Sequence, residues 1–412
     1  MAQVDAVCSL TLDLPPSCIA FCPNQSNFFV VGTYYLHGKE QQGDVREANN
    51  AEPPSEDPKN TPPSAGESAQ KRTGSLILFQ LEQDNITKVS TIITDFAILD
   101  IQWTPHPEIV GDILAVATST GLLAFYRLDA ARRELVLSCV RRICDSTILV
   151  LSLTWHPFRP HVLGSTLSNG NVLLCECNSS SSSSSSSTEG QLWSQDAVIT
   201  MHDIQQHELE AWTMAFTPQT GNAISGGDDI VLQCSQIQDE HENSMQIEAL
   251  WKDRKLHEAG VTAILPLSDT LVVTGSYDDH IRLLSLPSVG RRQTLASLYL
   301  GGGVWRLKVL AREAAVSVPN KNMQEASDSA LRQPCTSLVL LVSCMHAGAR
   351  IVRMARSRSE EWNFEVLARF EEHKSMNYGS DVQPERDGGG TVSNRSIVST
   401  SFYDRLLCLW KI

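Results

Sequence analysis

Residues 272–286 read VVTGSYDDHIRLLSL. An apolar run opens at Val272, a polar interruption spans residues 276–280, and a second apolar run follows from Ile281. Aliphatic and β-branched residues on either side of a short Gly/Ser/Asp cluster mark two strands joined by a tight turn. Small residues suffice for such a turn, yet this one carries Asp278, Asp279 and His280. Either these groups hold the architecture together or they do chemistry.

The same rhythm recurs along the chain. Seven segments precede a comparable turn: SCIAFCP (17–23), LDIQWTP (99–105), LSLTWHP (151–157), AWTMAFTP (211–218), GVTAILPL (260–267), GVWRLKVL (303–310) and YGSDVQP (378–384). Five are alternating strands that end in an aromatic or apolar residue, most with proline close behind; the last two diverge most. Each leads to a second apolar run, a small-residue turn and a third run, as in AVATSTGLLAFYRL (115–128) and GSTLSNGNVLLCE (164–176). Period-two alternation bounded by Gly, Asn, Asp and Pro predicts three to four strands per unit, and helical spacing is missing over any useful length. Seven such units predict an all-β, seven-bladed β-propeller spanning residues 1–412 as a single domain. The units resemble WD repeats. His257 is followed by GVTAIL and then by Thr274-Gly275-Ser276-Tyr277-Asp278-Asp279-His280-Ile281-Arg282-Leu283, with Leu284 in place of the terminal Trp. His207 pairs with Asp229 in the unit before, and His373 with Asp404 and Trp410 in the last. Asn169 and Thr120 take the Asp position in weaker units. Asp278 is therefore expected to cap its turn, accepting from backbone N–H groups and from His257, while Asp279 faces solvent. The N-terminal strand DAVCSLTLDL has no unit of its own and the last unit stops at its third strand, so residues near 5–13 are expected to close the ring on the C-terminal blade.

Bulk properties narrow the function. The net charge of −14 and pI near 5.2 argue against a sequence-independent grip on nucleic acid or an anionic membrane, which requires clustered Lys and Arg. The N-terminus lacks a basic stretch followed by an apolar core, and the longest apolar run, TSLVLLVSCM, is about half of what a bilayer requires. A cytoplasmic monomer is expected. The eleven cysteines contain no C-x-x-C pair and sit mostly in apolar runs, which predicts reduced core thiols and no metal site. Residues 37–72 (Pro, Glu, Asn and Ser), 178–190 (a serine run from Ser179 to Ser187), 312–334 and 384–395 are too polar to fold alone and read as surface insertions.

The rim of the channel holds the candidate site. The residue before each turn Asp is expected at the channel mouth: Asp228, Tyr277, Met345 and Tyr403. The starts of the inner strands add Trp212, Val261, Trp305 and Tyr378. This mouth is aromatic and mildly acidic, and on fold alone a protein-docking surface is a more natural reading than a catalytic one. His346 stands where other units carry Asp, and a neutral imidazole serves either as a turn cap or as a general base. Cys344, two residues earlier, would be its nucleophilic partner only if it left the sheet stack. LGGGVW precedes a strand, not a helix, so it is a poor phosphate loop.

HELEAWTMAF (207–216), SGGDDIVLQC (225–234), TGSYDDHIRLL (274–284), GGGVWRLK (301–308), CMHAGARIV (344–352), HKSMNYGSD (373–381) and SFYDRLLCLW (401–410) occur in an order that resembles the WD-repeat diphthine methyl ester hydrolases of the diphthamide pathway. The resemblance is clear over about 200–412 and thinner before, mainly CPNQSNFFVVGTYYL (22–36). It implies removal of a methyl ester, as methanol, from a trimethylammonium-bearing histidine of elongation factor 2, before a final amidation. It brings no established catalytic set. Trp305, Tyr277, Trp212, Tyr378 and Asp228 suit a quaternary ammonium. His346 is expected as the base or as the group that positions the water, with Arg306 or the backbone N–H groups near Gly302 and Gly303 as oxyanion donors. No cofactor is implied. The alternative is a non-catalytic scaffold that docks partner proteins.

Overall fold

The computed structural model describes residues 2–37, 70–178, 192–240, 244–313, 337–357, 361–385 and 394–412. Its strands form seven sheets, each with its first strand innermost. Blade 1 comprises Pro16–Phe21, Phe28–Thr33, Arg72–Glu82 and Asn85–Thr94, and blade 2 Ile98–Trp103, Ile113–Thr118, Leu122–Asp129 and Glu134–Arg142. Blade 3 comprises Val150–Trp155, Val162–Leu167, Asn171–Asn178 and Val198–Gln206, and blade 4 Ala211–Phe216, Ala223–Gly227, Leu232–Glu240 and Ser244–Asp253. Blade 5 is built from Val261–Pro266, Leu271–Ser276, His280–Ser285 and Gln293–Tyr299, and blade 6 from Arg306–Glu313, Ser337–Ser343, Ala349–Arg356 and Trp362–Phe370. Gly379–Val382, Ser396–Ser401 and Leu406–Lys411 make the first three strands of blade 7. Among the described residues the only helix is the four-residue Pro107–Val110. The protein is a seven-bladed β-propeller.

Ring closure falls where the unpaired N-terminal strand predicts it. Ala6–Thr11 runs antiparallel to Leu406–Lys411, with Ser9 opposite Cys408. The chain goes one step further: Ala2–Gln3 pairs in parallel with the outer strand of blade 6, Ala2 opposite Ala368. One terminal segment thus covers the edges of two blades.

The core lies between blades. Seven buried apolar clusters each draw on two neighbouring blades. Between blades 2 and 3, Phe125 stacks on Trp193 at 4.6 Å and Trp155 meets Trp193 edge-on at 5.3 Å. Between blades 6 and 7, Phe370 stacks on Trp410 at 4.9 Å. Blade approach is close enough to select glycine at Gly275, where a Cβ would fall 2.3 Å from Val304 Cγ1. Most of the surface insertions expected from composition fall outside the described residues; the first leaves from a short pairing of Tyr35–Leu36 with Arg72 and Thr73.

Candidate functional site

The histidine–aspartate turns divide into two kinds. In blade 4, His207 Nδ1 donates to Asp229 Oδ1 at 2.9 Å, and Nε2 lies 2.7 Å from Ser225 Oγ. Asp229 also accepts the backbone N–H groups of Glu208 and Val231. In blade 5 the expected bond from His257 to Asp278 is replaced. His257 Nε2 meets Thr274 Oγ1 at 2.9 Å, its Nδ1 has no partner among the described residues, and Asp278 instead takes Arg282 at 2.8 Å. Asp278 still caps its turn through the N–H groups of Glu258 and His280. Burial pushes its carboxyl up, but Arg282 and these N–H groups outweigh it and hold it down to about 2. In blade 7, His373 Nε2 and Trp410 Nε1 share Ser399 Oγ, at 2.7 and 3.0 Å. These groups brace the turns, so the second aspartate and the histidine of the turn at 278–280 are architecture too: Asp279 adopts a left-handed φ of 64° and His280 bonds its own turn carbonyl.

The channel mouth carries the unusual chemistry. On each inner strand except those of blades 6 and 7, a bulge next to the strand start displaces one residue: Ser17, Leu99, Leu151, Trp212 and Thr262. Trp305 and Tyr378 immediately precede the inner strands of blades 6 and 7. The middle of each turn between second and third strands supplies the other ring of positions, and there blades 4 to 7 place Asp228, Tyr277, Met345 and Phe402. The outcome is one-sided. Blades 4 to 7 contribute a continuous arc of rings, with Trp212–Tyr277 at 6.0 Å, Trp212–Trp305 at 5.7 Å, Tyr277–Trp305 at 5.9 Å, Trp305–Tyr378 at 5.1 Å and Tyr378–Phe402 at 5.6 Å. Tyr34 of blade 1 extends it, 6.3 Å from Phe402. Blades 2 and 3 place Ser119 and Ser168 at the turn positions. All five rings of the arc are half-buried. Asp228 is fixed to the arc by Trp212 Nε1, which donates to Oδ1 at 3.0 Å. Burial, and then the charges of Tyr378, Asp228 and Glu210, push the Tyr277 hydroxyl well above its ordinary range, so it stays neutral.

Trp212, Tyr277, Trp305, Tyr378 and Asp228 are thus brought together. Three other mouth positions need correction. Val261 is fully buried between blades 4 and 5. Met345 is also buried, its sulfur directed against Gly303. Tyr403 projects into solvent at 70% exposure, and Phe402 takes its place because the blade 7 turn is one residue longer than that of blade 5. Gly302 and Gly303 pack the arc: a Cβ on Gly302 would fall 2.3 Å from the Cys344 carbonyl, and one on Gly303 2.8 Å from Met345 Sδ. Cys344 is wholly buried and its thiol is pushed up to about 12 by that burial, so it remains protonated and is no nucleophile for His346. His346 is exposed at the tip of the turn that packs on Gly302, and among the described residues its ring has no hydrogen-bond partner.

Below the arc, the central channel is divided. Arg306 reaches from blade 6 to blade 2, its Nη2 2.9 Å from Asp100 Oδ1, with its guanidinium carbon 5.9 Å from the Trp305 ring. On one side lies a cavity of about 310 Å³ bordered by Tyr378, Cys18, Asp100 and Lys308; on the other, one of about 280 Å³ bordered by Trp305, Leu153 and Thr213. Arg306 and Gln102 line both. Asp100 was not distinguished in the sequence, where it sits inside an ordinary strand, LDIQWTP. No group of three or more metal-ligating side chains occurs among the described residues.

Fold and turns define a WD-repeat propeller with an aromatic channel mouth. No family model matches the chain. The diphthine methyltransferase of Schizosaccharomyces pombe is 30% identical over 349 residues, which is 84% of this chain and 87% of the relative. That of Saccharomyces cerevisiae is 25% identical over 99% of this chain and 98% of its own length. The chain belongs to the diphthine methyltransferase family. The propeller domain of Cps50 (Swd1) from Myceliophteria thermophila, at 11% identity, superposes over 100% of both chains with a TM-score of 0.55, a likeness of fold alone.

Proposed function

We propose that this protein hydrolyses the methyl ester of the diphthine methyl ester intermediate on elongation factor 2, releasing methanol and leaving diphthine for the final amidation of diphthamide biosynthesis. The observation that carries this reading is the arc of Trp212, Tyr277, Trp305, Tyr378 and Phe402 beside Asp228. Ring faces and a carboxylate suit a trimethylammonium group, which offers diffuse positive charge and no hydrogen-bond donor. In the substrate both groups sit on one side chain, so a cation seated in the arc would hold the carbonyl near Arg306, the next residue after Trp305. The guanidinium has five N–H donors and spends one on Asp100. The others are available to the oxyanion that forms when water attacks the carbonyl carbon. In this scheme His346 takes the proton from that water, the C–O bond to the methoxy group breaks, and the protonated His346 returns the proton to the leaving oxygen to give methanol.

Methyl transfer to diphthine and hydrolysis of its methyl ester change the substrate mass in opposite directions. Purified protein, mixed with methyl-esterified elongation factor 2 and no methyl donor, is expected to release methanol and to lighten the factor by one methylene. No mass change with the folded protein alone would sink this reading; turnover only with a second protein added would favour the scaffold.

A further inference from the structure

Among the described residues, the channel beneath the aromatic arc is lined by two cations, and each is matched by a carboxylate. Arg306 Nη2 lies 2.9 Å from Asp100 Oδ1, and Lys308 Nζ lies 2.9 Å from Asp381 Oδ1. The carboxylates are nearly sealed, with side chains 5% and 2% exposed, whereas those of Arg306 and Lys308 are 26% and 52% exposed towards the channel. Each carboxylate has a second task. Asp100 Oδ2 accepts the Leu153 N–H from blade 3 at 3.0 Å, and Asp381 Oδ2 accepts the Phe21 N–H from blade 1 at 2.8 Å. A neutral amide oxygen would serve that tie as well. It would not account for a carboxylate placed twice against cations at alternate positions of one inner strand.

An unmatched cation a few ångströms below the arc would repel a quaternary ammonium bound there, because both sit in a partly dehydrated mouth where charge is poorly screened. A channel without cations would lose its strongest hydrogen-bond donors. We infer that Asp100 and Asp381 are specificity residues of the mouth: by neutralising Arg306 and Lys308 they keep the donors beneath the arc while leaving Asp228 and Glu210 as its uncompensated charge. This inference rests on the arc being a trimethylammonium site, and it holds whether or not the protein is a hydrolase.

The test uses choline and its neutral isostere with carbon in place of nitrogen, titrated into the intact protein and followed by tryptophan fluorescence. In Asp100→Asn the amide oxygen still accepts the Leu153 N–H, so the blades stay tied, but Arg306 loses its counter-charge. Choline affinity is expected to fall about tenfold, with the isostere unchanged. The double variant Asp100→Asn/Arg306→Gln restores neutrality and is expected to recover choline binding. Asp381→Asn provides the same comparison through Lys308 should Asp100→Asn fail to fold. Equal loosening of both ligands, or no recovery in the double variant, assigns the carboxylates to architecture alone and overturns the inference. Failure of choline to bind the unaltered protein overturns it as well. Absence of methanol release, with choline selectivity behaving as expected, removes only the hydrolase reading.

Discussion

Trp212, on the inner strand of blade 4, and Asp228, in the turn after its second strand, meet at the channel mouth, indole nitrogen to Oδ1 at 3.0 Å. The bond aims the ring and leaves the second carboxylate oxygen free to face a cation. Asp228→Asn retains an acceptor for Trp212 and removes the charge. We expect KM for esterified elongation factor 2 to rise about tenfold with kcat little altered, the signature of lost uniform binding. Steady-state methanol release measures it, and a fall confined to kcat would contradict the assignment.

Trp305 touches Trp212, Tyr277 and Tyr378, so it is the centre of the arc. Trp305→Ala should lower kcat/KM by about ten- to thirtyfold, the scale of a desolvated cation–π contact. Trp305→Phe should recover part of it. An alanine variant that melts normally and turns over normally would empty the arc of its proposed role.

Arg306→Lys retains a positive charge opposite Asp100 and removes the planar fork. The expected result is a kcat reduced about hundredfold with an unchanged melting temperature. His346 is exposed, so His346→Ala should fold as the parent does; a similar fall in kcat is expected if it is the base. Undiminished turnover would remove His346 from the mechanism.

Stability should depend on pH through the bracing histidines. Burial pushes His257 and His373 from 6.5 down to about 4 each. Between about 4 and 6.5 the unfolded chain binds these protons and the folded chain does not, so stability falls as pH drops through that window. Asp278, held at about 2 against 3.8 unfolded, adds a second loss below the first. Calorimetric melting from pH 7 to pH 3 should show the decline beginning near 6.5; His257→Gln/His373→Gln should flatten its upper part.

Deleting residues 2–11 removes the strand that covers Leu406–Lys411 and the short pairing on Trp362–Phe370. Two edges of exposed backbone N–H and C=O groups result. The truncated protein should melt at a lower temperature and aggregate, as followed by light scattering; retention of the parent melting point would mean the ring closes without this strand.

Much of the fold was legible because a blade is a local object. The alternation in VVTGSYDDHIRLLSL and the polar cluster at its turn specify strand, turn and strand from neighbours in the chain. The aromatic residues of the arc are legible for a related reason: once strand starts and turns are located, Trp212, Tyr277, Trp305 and Tyr378 fall at repeating positions. Phe402 escapes a reading of the sequence because the blade 7 turn carries one extra residue, which composition does not reveal. Val261 was misplaced because it starts its strand one residue ahead of the bulge, with Thr262 as the displaced residue.

By itself, then, the sequence determined the repeat count, the closing strand and the half of the ring that bears aromatic residues, since all three follow from short-range periodicity. Only tertiary structure decided that His257 braces Thr274 and not Asp278, and that Asp100 lies opposite Arg306, 206 positions away in the chain. Closing a ring sets inner strands of distant blades face to face across a narrow channel, and no local pattern encodes which charge will meet which.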